Sequence, residues 1–70
     1  KTDFQVANLQ NAMLQSTDLA YANLLGADLR GADLSEANLK WAVIKGTRYN
    51  KQTRFPQGFN PQKEEMQLVD

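Results

Sequence analysis

The chain of 70 residues contains no cysteine and no histidine. No disulfide or thiolate metal site can therefore reinforce it. Ser16 and Ser35 likewise lack an imidazole base to turn a hydroxyl into a nucleophile. Charge of either sign is not in excess, with eight basic side chains against eight acidic ones. No apolar run approaches the roughly 18 residues that a membrane-crossing helix needs, and no secretory pattern is present. Proline occurs only as Pro56 and Pro61, so the sequence before them is free of the residue that most firmly interrupts backbone hydrogen bonding. A chain of this length is close to the lower limit for a self-sufficient core.

What the sequence has in place of these is a period of five. The stretch Ala22-Asn23-Leu24-Leu25-Gly26, Ala27-Asp28-Leu29-Arg30-Gly31, Ala32-Asp33-Leu34-Ser35-Glu36 continues without a slip to Gly46. Alanine and leucine favour a helix by propensity, but each five-residue step would rotate the leucine by about 140° around a helix axis and scatter the apolar positions over every face. A straight strand fails as well, because an odd step turns every second leucine outward. A short extended piece followed by a bend satisfies the pattern. Within Ala27-Asp28-Leu29 the alanine and leucine share one face, and a quarter turn over the next two residues brings the following pair inward again. If each bend is a quarter circle, four units close a square of roughly 20 residues per turn, with stacked turns about 4.8 Å apart.

These units resemble the pentapeptide repeat family, whose pattern is Ala, then Asp or Asn, then Leu, then two variable residues. The likeness covers Thr2 to Lys51, ten units in one register, and Tyr49 to Pro61 resembles the ends of many cyanobacterial members. It implies an all-β solenoid, a right-handed quadrilateral β-helix of about two and a half coils with a short C-terminal helical cap. Because the pattern is already under way at Thr2-Asp3-Phe4 without a polar cap, the chain is expected to be the C-terminal segment of a larger protein.

The inward centres are Phe4, Leu9, Leu14, Leu19, Leu24, Leu29, Leu34, Leu39, Ile44 and Tyr49. Two residues before each lies a small residue, alanine or threonine, as a narrow bore demands. Phe4, Leu24 and Ile44 form one expected column; Leu9, Leu29 and Tyr49 form the next. The β-helix is expected over residues 1–51. An extra residue at Gln52 and the run from Phe55 to Pro61 then break the period, and residues 52–70 are expected to form a loop and a capping helix. Asn60 and Pro61 read as its N-cap and first position, with Phe55, Phe59, Met66 and Leu68 or Val69 covering the last coil.

Seven positions before the centres carry Asp or Asn: Asp3, Asn8, Asp18, Asn23, Asp28, Asp33 and Asn38. Carboxylates could serve acid–base chemistry or calcium, but residues recurring with the repeat point to local bonds with backbone at the bends. Asp28 and Arg48, 20 residues apart, are candidates for an ion pair across coils. Gly26, Gly31 and Gly46 suit tight bends and match no phosphate-binding loop. No catalytic residue, cofactor, metal, nucleic acid or membrane contact is expected. Tyr21 and Trp41 occupy equivalent outward positions and should stack beside Lys40, an arrangement able to anchor a partner. Lys1 to Glu36 hold two basic and five acidic residues, and Ala37 to Lys51 four basic and none acidic, which favours head-to-tail association through the open N-terminal coil. The leading expectation is a non-enzymatic structural or protein–protein interaction module. The alternatives are a DNA-mimic gyrase inhibitor, which would need a longer and more acidic surface, and an accessory domain of an enzyme whose catalytic part lies elsewhere.

Overall fold

The structure is a computed structural model that describes residues 2–69. Its unit of construction is the pentapeptide, and each unit makes one rung. The residue before each centre pairs in parallel with the residue 20 positions on: Asp3 with Asn23, Asn8 with Asp28, Met13 with Asp33, Asp18 with Asn38, Asn23 with Val43 and Asp28 with Arg48. Polarity is constant along the ladder. The Asn23 N–H donates back to the Thr2 C=O at 2.8 Å, whereas the Leu24 N–H donates forward to the Val43 C=O at 2.7 Å. Backbone groups of the middle residue thus face the preceding turn, and those of the small residue and centre face the next.

A bend follows every centre. The small residue's N–H closes a β-turn onto the preceding centre's C=O, as in Ala27 to Leu24 at 2.9 Å and Ala32 to Leu29 at 3.0 Å. The second corner position is left-handed throughout, with φ between 57° and 74° from Val6 to Gly46, the conformation that a type II turn requires there. The seven Asp and Asn side chains each accept the N–H two residues on, at 2.9–3.1 Å. Their recurrence is thereby explained by bend geometry.

The bore holds Leu19, Leu24, Leu29, Leu34 and Ile44 with Ala22, Ala27, Ala32 and Ala37, all buried. Phe4, Leu9, Leu14 and Leu39 pack against them half-buried, and Tyr49 closes the series buried. At Thr47, where threonine replaces alanine in the buried part of the bore, the hydroxyl is satisfied inside: Oγ1 donates to the Leu24 C=O at 2.7 Å.

Pairing does not end near Lys51, and the expected capping helix does not form. Strand β1, Arg48–Tyr49, pairs in parallel with β2, Gln67–Leu68, and no α-helix occurs among the described residues. Asn60 does cap, its Oδ1 accepting the Gln62 N–H at 3.1 Å. The chain then makes a single turn. Met66 N–H returns to the Pro61 C=O at 3.2 Å and Glu65 takes φ 62°, the six-to-one closure that ends helices. A competing partner explains the early stop. The edge at Thr47–Tyr49 takes the tail's backbone, with the Gln67 N–H on the Thr47 C=O at 2.9 Å and the Val69 N–H on the Tyr49 C=O at 2.8 Å. Phe55, Phe59 and Met66 do pack on the core. Val69 is half-buried, whereas Leu68 points outward and is 51% exposed.

Candidate interaction face

Tyr21 and Trp41 close equivalent corners on successive turns, so the ladder places one ring above the other. Their centroids are 5.0 Å apart and their planes differ by 19°. Both stay largely in solvent, 52% and 65% exposed. The backbone fixes the spacing, since the Tyr21 N–H donates to the Lys40 C=O at 3.0 Å. Lys40 Nζ lies 5.3 Å from the Trp41 ring centroid, within range of a cation–π contact. The structure therefore brings together the three residues singled out in the sequence, as a rigid apolar surface with a cation at its edge.

The acidic residues do other work. Asp28 faces outward at the Arg48 rung, yet its partner is Arg30: Nη2 lies 2.7 Å from Oδ2, and Nε donates to both carboxylate oxygens. Arg30 also gives Asp28 its backbone N–H, so one residue satisfies the carboxylate twice and Arg48 acts only at a distance. The bonds from the Arg30 side chain hold the Asp28 carboxyl below the ordinary carboxylate range despite its burial. Asp33 is lowered as well, first by the Ser35 hydroxyl at 2.6 Å and then by the Ser35 N–H. Lys45 and Glu65 meet at 3.8 Å on the surface, a contact of little energetic weight. Among the described residues no group of three or more acidic side chains converges as metal ligands.

Beside Trp41 lies a feature that sequence reasoning missed. A concavity of about 600 Å³ opens on the side of the solenoid, lined by Ala37, Leu39, Lys40, Trp41, Phe59 and Glu64 among others. It exists because the chain cuts a corner. Phe59 follows Phe55 by four residues and not five, after a turn in which the Phe59 N–H bonds the Pro56 C=O and Gly58 takes φ 85°. The ring still reaches the bore and stacks on Phe55 at 5.0 Å, while its backbone leaves the ladder. The only hint in the sequence was the short spacing between Phe55 and Phe59.

The family of pentapeptide repeats matches residues 7–46 as eight copies. A solved structure, that of a pentapeptide repeat protein from Nostoc Pcc 7120, is 30% identical; the match covers 99% of this chain and 86% of that one, with a TM-score of 0.47. No curated protein matches.

Proposed function

Since the chain belongs to the pentapeptide repeat family, a family of structural repeats, we propose that it serves as a non-enzymatic protein-interaction module whose docking face is the Tyr21–Trp41 stack with Lys40. The observation that carries this reading is the exposure of two stacked aromatic rings held by a rigid ladder. Aromatic anchors supply contact area at small entropic loss, and interface energy concentrates on such residues. Catalysis has little support. Each carboxylate with a shifted pKa is engaged by Arg30 or Ser35 in a bend.

Trp41 is the sole tryptophan, which makes it both the tested residue and the reporter. A partner captured by the native chain should shift the Trp41 emission to shorter wavelength and should be lost on a Tyr21→Ala, Trp41→Ala double variant with an unchanged circular dichroism spectrum. Equal capture by the folded double variant would reject this face.

A further inference from the structure

Three rungs above the second turn are filled: Val43 lies over Asn23, Arg48 over Asp28 and Arg54 over Asp33. The fourth, over Asn38, is empty. Among the described residues the Ala37 C=O, the Leu39 N–H and the Trp41 N–H have no hydrogen-bond partner. On the adjacent face the counterparts of the first two are engaged, the Ala22 C=O by the Val43 N–H at 2.8 Å and the Leu24 N–H by the Val43 C=O at 2.7 Å. The open groups border the concavity beside Trp41. It is a gap one strand wide, floored by Leu39 and Phe59, in an otherwise continuous ladder.

We propose that this gap binds an extended acidic peptide by strand addition, which deepens the interaction role above and rests on it. The backbone groups specify an extended chain: one residue of the peptide would take both bonds, its N–H on the Ala37 C=O and its C=O from the Leu39 N–H, as Val43 does one face away. Charge specifies the side chain. The residue over Asn38 points outward in the column of Asp18 and Asn38, next to Lys40. Of the charged residues that line the concavity, Lys40 is the cation and Glu64 the anion, and the half of the chain that holds them, residues 37–69, carries a net charge of +4. Glu64 stands on the rim of the concavity, so the acid belongs on the Lys40 side. The flanking residues of the peptide meet Leu39 and Trp41 and are apolar.

The test is a titration of the ¹⁵N-labelled chain with a blocked five-residue peptide of alternating valine and aspartate, with its lysine counterpart, and with a version N-methylated at the central aspartate. The acidic peptide should shift the Leu39 and Trp41 amides and slow hydrogen exchange at Leu39 roughly tenfold or more. The N-methylated and lysine peptides should not, and Lys40→Glu should reverse the preference between the two charges. Absence of any shift with the acidic peptide overturns the proposal. Shifts confined to the Trp41 indole, insensitive to N-methylation, also overturn strand addition while leaving the aromatic docking face standing. Protection of Leu39 in a Tyr21→Ala, Trp41→Ala variant that no longer captures its partner would separate the two the other way.

Discussion

Val6 holds a β-branched side chain at φ 61° and is 73% exposed. Nothing rewards the branched side chain at this corner, and left-handed backbone costs a non-glycine residue on the order of 1 kcal/mol or more. Asparagine tolerates this region far better, and Asn11 occupies the next corner at φ 62°. Val6→Asn is expected to stabilise the fold by about 1 kcal/mol, raising Tm by roughly 4–8 °C in a domain of this size; an unchanged or lower melting temperature would contradict the turn assignment. Gly31 is the opposite case, because a Cβ there would collide with Asn11 Oδ1 and would sit at φ 73°. Asp28 sets a pH dependence. Its folded pKa is depressed by the Arg30 bonds, so the unfolded chain binds the proton more readily. The stabilisation is complete above the ordinary carboxylate pKa of about 3.9 and is lost as pH falls through the lower folded value. Chemical denaturation across the acid range should show a shallower decline in Asp28→Asn than in the native chain; equal slopes would remove Asp28 from the account. Asp33 is lowered too, and its contribution remains in the variant.

The extra residue near Gln52 was legible in the sequence; the side chains that absorb it were not. Asp33 pairs with Arg54, 21 residues on, and the corner shifts so that the Thr53 N–H bonds the Asn50 C=O. The displaced Gly31 N–H finds Asn50 Oδ1 at 3.0 Å, while Thr53 Oγ1 donates to the Leu29 C=O at 2.9 Å and accepts the Asn50 N–H at 3.0 Å. Two side chains thus do what a regular rung does elsewhere. Thr53→Val leaves the part-buried Asn50 N–H unpaired and takes from the Leu29 C=O one of its two bonds, the other coming from the Ala32 N–H, and is expected to cost about 1–3 kcal/mol. Combined with Asn50→Ala the loss should be less than additive, because both act in one network; additive losses in a denaturant double-mutant cycle would refute the coupling. The same contrast explains how the rest of the fold was read. Five-residue units repeat one local solution, so the inward positions from Phe4 to Tyr49 followed from the spacing, and the Tyr21–Trp41 stack from that spacing together with the four-unit turn that the family resemblance implies. The tail has no repeat to average over. Its Asn60-Pro61 start signal was real, but whether Met66 to Val69 continue as helix depends on the edge at Thr47–Tyr49, a partner about 20 residues away that local propensity cannot weigh.

In a solenoid, sequence order is spatial order, so an uneven charge distribution along the chain becomes a dipole of the whole molecule. Residues 2–36 carry Arg30 against Asp3, Asp18, Asp28, Asp33 and Glu36, a net charge of −4, and residues 37–69 carry a net charge of +4. Lys1, on the acidic side, lies outside the described residues. The molecule measures 29 × 22 × 22 Å, longer than the Debye length of about 10 Å at 0.1 M salt, so each end presents its own field. The acidic end also presents an edge: the N–H groups of Asp3, Asn8, Met13 and Asp18 face away from the next turn and have no partner among the described residues. At the basic end β2 is the outer strand of its two-stranded sheet. We propose that edge and charge together drive head-to-tail association of this 70-residue chain, a heterologous contact that propagates without closing. Sedimentation equilibrium should show association rising with concentration at about 0.01 M salt and falling sharply towards 1 M, where the Debye length shrinks to about 3 Å. Asp3→Lys with Asp18→Lys should weaken it at low salt; each gives up the carboxylate's bond to the N–H two residues on, but Met13 occupies the same rung position without one, so the fold should persist. A strict monomer at low salt would defeat this assembly, and association that strengthened with salt would assign it to the apolar surface in place of the charge.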